Sequence, residues 1–198
     1  MHAADPYAVA CLAGGPVRAV DTAVVALLEA GRLTVAETGE LSTAALRYAH
    51  PVEAAVLDAV GRRAQRSIHT VRYRCAADQR LTGLTQQLVA AGLLRRTRRP
   101  ALPGRERSAW TPTDAGRQVL TEARRTAAGP PMRVALDGLD ALPDQQLRAR
   151  VFDLPRAPRR IGGGHVELSR AQAELEGKGW TRDFGAGGGN GVGGGGNG

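Results

Sequence analysis

From Val9 to Phe152 the apolar residues recur mostly at helical spacing, and glycine or proline stands where the rhythm stops. Asp5-Pro6 forms a cap and first turn for a short helix through Val9 and Leu12, ended by Gly14-Gly15. Pro16 then opens a second helix on Val20, Val24, Leu27 and Leu28 that stops at Gly31. Leu33, Val35 and Leu41 alternate about a Thr38-Gly39 turn, which predicts a small hairpin. His50-Pro51 starts the next helix, with Val52, Val56, Ala59 and Val60 on one side and Gly61 at its end. Ser67 caps a further helix on which Ile68, Val71 and Cys75 share a face.

The stretch from Gln79 to Leu120 is the most differentiated. Asp78 caps a helix whose Leu81, Leu84, Leu88 and Ala91 are predicted to face inward, which leaves Gln79, Thr82, Gly83, Gln86 and Ala90 outside. Gly92 ends it. Leu93-Leu94 lead into Arg95, Arg96, Arg98 and Arg99, a strand running out to a loop from Pro100 to Gly104 that returns through Arg107 to Trp110. Thr111-Pro112-Thr113-Asp114 reads as a capping box with proline at the first helical position, and predicts a helix carrying Val119, Leu120 and Ala123. Helix, basic strand, loop, strand and capped helix in this order make the second half of a winged helix. The N-terminal helix and hairpin repeat that plan without repeating its residues.

Gly129-Pro130-Pro131 breaks the chain before a helix on Met132, Leu136 and Leu139, and Leu142-Pro143-Asp144 starts another on Leu147, Val151 and Phe152. Neither can bury its apolar face alone, so the pair is expected to pack on what precedes it. Residues 156–184 offer only a weak helix around Ser169 to Glu176, and residues 185–198, with ten glycines, are expected to be disordered. The expected fold class is mainly α with small β-hairpins, an α+β protein. Two winged-helix-like lobes at 5–49 and 50–128 are followed by a helix pair at 130–154 and a flexible Arg/Gly-rich tail at 155–198.

Composition narrows this picture. Of 198 residues 42% are apolar but only 4% aromatic, so the core must be built from Ala, Val and Leu, which suits close-packed helices. Cys11 and Cys75 lie far apart in predicted helices, give neither a disulfide framework nor a metal spacing, and are expected to be small core residues. No run of about 18 apolar residues stands out and the start, MHAADPYAVACLAGG, lacks the basic end of a signal peptide. The chain is therefore expected to be cytoplasmic and not itself inserted in a membrane.

The net charge of +8 is uneven, at −2 over residues 1–50, +9 over 51–128 and +1 over 129–198. Lys178 is the one lysine among 27 basic residues, so arginine is the default cation and its abundance alone is a weak guide to phosphate contacts.

Five blocks, DPYAVACLAGGPVRAVDTAVVALLEAGRL, HPVEAAVLDAVG, LVAAGLL, TDAGRQVL and VALDGLDALPDQQLRARVF, resemble in this order an actinobacterial family of proteins without known activity. Most of that family are regarded as membrane proteins with glycine- and cysteine-rich C-terminal tails. The resemblance covers residues 5–154, and its long first block is the specific part. The relatives carry a hydrophobic hairpin before the TDAGR-like segment, where this chain has the polar stretch Arg95 to Ser108, and cysteines in the tail, where it has Asn190 and Asn197. The resemblance thus implies kinship, without membrane attachment, activity, catalytic residues or cofactor.

Two functional readings follow. The preferred one is a non-enzymatic interaction or scaffold module whose partner is another protein. The alternative is a DNA-binding transcriptional regulator in which helix 67–76 crosses the backbone and helix 78–92 enters the major groove. That helix would present Gln79, Thr82 and Gln86, with Arg80 at its flank and Gly83 allowing close approach, while Arg95, Arg96, Arg98, Arg99, Arg105 and Arg107 meet phosphates. No cation stands at the centre of the outward face, which weighs toward the protein reading. Catalysis, a metal and a cofactor are not expected. His2, His50, His69 and His165 are scattered, and Gly162-Gly163-Gly164-His165 lacks the Gly-Lys-Ser/Thr ending of a phosphate cradle. Tyr48, Tyr73 and Trp110 sit beside predicted core and read as packing rather than base stacking.

Overall fold

The computed structural model describes residues 5–99 and 107–153, with backbone alone at 98, 99 and 107–109. Within them the protein is mainly helical with small antiparallel strand pairs. Its central element is α1 (Pro6–Glu29), capped by Asp5, whose carboxylate accepts from the Tyr7 and Ala8 amides. The two helices predicted here are present and meet at a kink within α1. Gly15 takes a non-helical backbone, with φ 79° and ψ −176°, and Pro16 follows with no amide hydrogen to give, so the helical bonding is interrupted there.

The second half of α1 is buried on every side: Ala19 to Val25 are all inaccessible or nearly so. A helix apolar all round belongs in an interior. By length and hydropathy alone α1 would also suffice to cross a membrane, and 56% of its most apolar window is buried within the protein. It packs against α2 (Pro51–Val60), α4 (Gln79–Ala90), α5 (Asp114–Thr126) and most extensively α6 (Gly129–Asp137). The two prolines predicted to break the chain occupy the first turn of α6. Leu139, expected on that helix, falls in the 3-10 turn at 139–141. Asp144 caps α7 (Gln145–Val151), whose Val151 and following Phe152 are buried.

Two short strands, β1 (Leu33–Val35) and β2 (Leu41–Thr43), make the predicted hairpin, and an unanticipated third, β3 (Gln65–Arg66), pairs with β2 through Leu41↔Arg66 and Ser42↔Gln65. Between β3 and α4 lies α3 (Ile68–Ala76). Residues from α1 through Phe152 share a single hydrophobic cluster, made chiefly of Ala, Val and Leu. Cys11 and Cys75 lie in it as free thiols, and burial pushes them up to about 11 and about 12, as befits small core residues.

Two polar devices cross this core. Glu53 on α2 accepts from the Tyr7 hydroxyl at 2.5 Å, from Arg32 at 3.0 Å and from the Ala49 amide at 2.7 Å. Asp21 on α1 accepts both bonds of the Arg72 fork on α3, at 2.8 and 2.9 Å, and Arg72 also lies over the Phe152 ring. Burial raises the Asp21 carboxyl, while Arg72 pulls it back down. The predicted tail, with His165 and Gly162 to Gly164, and the terminal His2 lie outside the described residues.

Candidate nucleic-acid interface

The Ser67 hydroxyl accepts from the Thr70 amide and starts α3, and after the two-residue turn Ala77-Asp78 the Asp78 carboxylate accepts from the Arg80 amide at 2.8 Å and starts α4. Leu81, Leu84 and Leu88 face inward as the spacing predicts, but the fourth expected member, Ala91, is an exposed helix cap. Its place is taken by Thr85, which is buried because its hydroxyl donates to Leu81 O at 3.1 Å and touches Cys11 Sγ at 3.7 Å. A back-bonded threonine loses its need for water, and hydropathy spacing alone does not reveal that.

The outer face of α4 is polar. Gln79, Gln86 and Gln87 are exposed, Thr82 and Gly83 half-buried, and nothing lies within 4 Å of where a Gly83 side chain would start. Val89 is the only large apolar residue exposed on this helix. Thr82 Oγ1 donates to Asp78 O at 3.2 Å, so its lone pairs remain for an outside donor.

Arg80, expected at the flank of the helix, is ion-paired within the protein and one third exposed. Its Nε and Nη2 donate to Asp78 at 2.9 and 2.7 Å, and its Nη1 lies 2.8 Å from Asp58 on α2. These bonds raise Arg80 further and hold the Asp78 carboxyl below its usual range. Three of its five N–H groups join the start of α4 to α2. Asp58 went unrecognised in the sequence, where twenty residues separate it from Asp78 and a helical acid has no reason to stand out.

After Gly92 the chain enters β4 (Leu94–Arg99), paired with β5 (Arg107–Pro112) in the register Leu94↔Pro112, Arg95↔Thr111, Arg96↔Trp110, Thr97↔Ala109, Arg98↔Ser108 and Arg99↔Arg107. Opposed residues share a face and successive ones alternate. Arg95, Thr97, Arg99 and Arg107 therefore stand at one set of positions, and Leu94, Arg96, Arg98 and Trp110 at the other. Arg95 and Arg96 are exposed, and the Thr97 and Thr111 hydroxyls meet at 3.1 Å. Arg105 lies outside the described residues. Leu94 is buried and Trp110 packs against the core, as expected, whereas Tyr48 and Tyr73, also read as packing, are 60% and 59% exposed.

The base of the hairpin is fixed from α5. The helix begins later than predicted: Thr113 is its cap and Pro112 ends β5. Thr113 Oγ1 accepts from the Gly116 amide and donates to Gly92 O at 2.7 Å, tying the end of α4 to the start of α5. A side chain on Gly116 would stand 2.3 Å from Leu93 O, so this glycine permits the closest approach of helix to hairpin.

His50 caps α2, with Nδ1 accepting from the Val52 amide at 3.1 Å, and no group of three or more His, Cys, Asp or Glu suited to a metal occurs among the described residues. Compared with models of protein families, with curated proteins and with solved structures, the chain finds no match in any of the three.

Proposed function

We propose that this is a non-catalytic protein that binds double-stranded DNA through α3, α4 and the basic hairpin. Residues 50–128 are read as a winged-helix unit, since α2, β3, α3, α4, β4 and β5 follow in that plan's order. The departure is β3, which pairs with β2 of the N-terminal hairpin instead of with the wing. The observation that carries the reading is the hairpin's charge beside a polar helix face. Between Leu94 and Pro112 stand six arginines and one acid, Glu106. Arg95 has no carboxylate partner among the described residues, as is true of Arg18, Arg47 and Arg133 elsewhere, whereas Arg32, Arg72, Arg80 and Arg148 are ion-paired, so it is the clustering on the hairpin that sets these cations apart. A face of glutamines flanked by exposed cations suits base edges and phosphates better than an apolar partner surface. In this role Gln79, Thr82 and Gln86 face the groove, Arg95, Arg96, Arg98, Arg99, Arg105 and Arg107 meet phosphates, and Arg80 orients the helix.

Anisotropy of labelled random and genomic duplexes over a salt series, with a variant in which Arg95, Arg96, Arg98 and Arg99 are all Ala, tests this. Each lost phosphate contact lowers the slope of log affinity against log salt by about 0.9. Absence of binding at about 50 mM salt, or an unchanged slope in the variant, rejects the reading.

The protein-interaction reading keeps one observation of its own, the exposure of Leu46 and Tyr48 (46% and 60%) on the segment between β2 and α2. If that segment is a docking site, the paired substitutions Leu46→Ser and Tyr48→Ser abolish recovery of a defined protein partner while leaving duplex binding intact. Recovery that survives both substitutions counts against it.

A further inference from the structure

Between the kink of α1 and the turn that follows α6 lies a cavity of about 300 Å³. Three carboxylates line it, and each already has an arginine: Asp21 holds Arg72, Asp140 lies 2.6 Å from Arg148, and Asp137 lies 3.6 Å from Arg124. Arg18 is the one cation on the wall; its charge helps to pull the Asp21 carboxyl down, but no carboxylate lies within ion-pair distance of it among the described residues. Its Nη1 donates to Leu136 O at 3.1 Å, while Nε and Nη2 have no acceptor there. Two bare backbone positions let the guanidinium lie flat: a side chain on Gly14 would stand 2.2 Å from Arg18 Nε, and one on Gly138 3.3 Å from Nη2. Beside it the accessible apolar wall comes from Val17 and Leu139.

We propose that this cavity binds a small organic monocarboxylate. The carboxylate takes the Nε and Nη2 edge of Arg18, and a compact apolar body lies against Val17 and Leu139. A single negative charge is specified because Asp137 and Asp140, although paired, oppose a dianion. The volume stands at the small end for ligand cavities and suits an acid of the size of benzoate or a short branched alkanoate. The site is independent of DNA binding, but its Asp21 wall places it one ion pair away from α3.

Titration calorimetry and amide chemical-shift mapping on the full chain test this, with benzoate and isovalerate as ligands, benzamide as the neutral isostere and inorganic phosphate as the dianion. The carboxylates bind with Kd on the order of 0.1–1 mM and move the Gly14 and Gly138 amide signals. Benzamide and phosphate do neither. Arg18→Gln weakens binding about tenfold or more. Asp137→Asn removes a half-exposed rim charge and tightens it severalfold, so the sign of that change decides the matter even if the Arg18 variant does not fold. No saturable shift by about 10 mM of either carboxylate, equal binding of benzamide, or affinity that Asp137→Asn leaves unchanged overturns the proposal.

Discussion

Arg72 and Arg95 are the same residue in opposite circumstances. Arg72 comes off α3 into the core, donates both arms of its fork to Asp21 and covers the Phe152 ring, with 17% of its side chain exposed. Arg95 stands on the outer face of a two-stranded ribbon with no described acid to meet it. In a chain with one lysine the count of arginines says little, because the same side chain serves as buried tie and as open surface charge. What separates the two is whether an acid is folded into reach. The core supplies Asp21 and Glu53, and the hairpin sequence supplies one glutamate against six arginines. The structural arginines should therefore show themselves in stability, and the hairpin arginines in salt-dependent binding.

The largest expected effect breaks the buried tie. Arg72→Ala strands a nearly inaccessible carboxylate and should cost about 3–5 kcal/mol in urea unfolding, whereas removing both charges with Asp21→Leu and Arg72→Met should recover most of that. The pH dependence has a definite sign. Burial holds the folded-state Asp21 carboxyl above its ordinary 3.8, so over that window the native protein binds more protons than the unfolded chain. Stability from this group is present below pH 3.8 and falls as pH rises through the folded value. Losing Arg72 widens the window, so the defect of Arg72→Ala should be smaller at about pH 4 than at about pH 7. A defect of equal size at both would mean that the carboxylate finds water or another cation.

Gly116→Ala asks how far the hairpin depends on its anchor. The new methyl would collide with Leu93 O, a backbone atom that moves only with β4, so a loss of about 1–3 kcal/mol is expected. Duplex affinity should fall with it, because the ribbon is displaced from α4. A variant that is destabilised yet binds as well as wild type would show that hairpin and helix act separately.

The helices, their caps and the basic hairpin were legible in the sequence because each rests on short-range chemistry. Asp5, His50, Ser67, Asp78 and Asp144 cap helices through bonds to amides two or three residues ahead, which spacing alone reveals. What escaped notice depends on partners distant in the chain. Thr85, its hydroxyl turned back to Leu81 O, meets Cys11 across the core, β3 forms only because β2 offers an open edge, and Asp21 is tolerated in a helix buried all round only because Arg72 arrives fifty-one residues later. The same limit applied to the candidate site. Arg80 stands at the flank of the helix in the sequence, and its pairing with Asp58 is visible only once the chain is folded.

The double pairing of Arg80 gives the next test. It is a third exposed, so Arg80→Ala should cost no more than about 1 kcal/mol of stability. Asp78, held low by Arg80, contributes stability above its unfolded value that is lost as pH falls through the folded one, and the variant should lose less on acidification. Duplex binding should weaken because the first turn of α4 is freed, but with the salt slope unaltered, and Asp58→Asn should do the same. A slope lower by about 0.9 in Arg80→Ala alone would return this residue to the phosphate-binding set.

The smallest change tests the helix face itself. Gly83 sits in the middle of α4 with a helical backbone, and a methyl group there would meet nothing within 4 Å. On folding grounds Gly83→Ala is favourable, by up to about 1 kcal/mol, because alanine has less backbone freedom to lose. Thermal unfolding should therefore move upward. If α4 lies in a groove between Thr82 and Gln86, the same methyl takes up space the DNA needs, and affinity should drop although stability rises. Opposite signs for stability and binding are hard to obtain from any purely structural role of a surface glycine. A more stable variant with undiminished duplex affinity would remove α4 from the interface and leave the arginine ribbon as the whole of the contact.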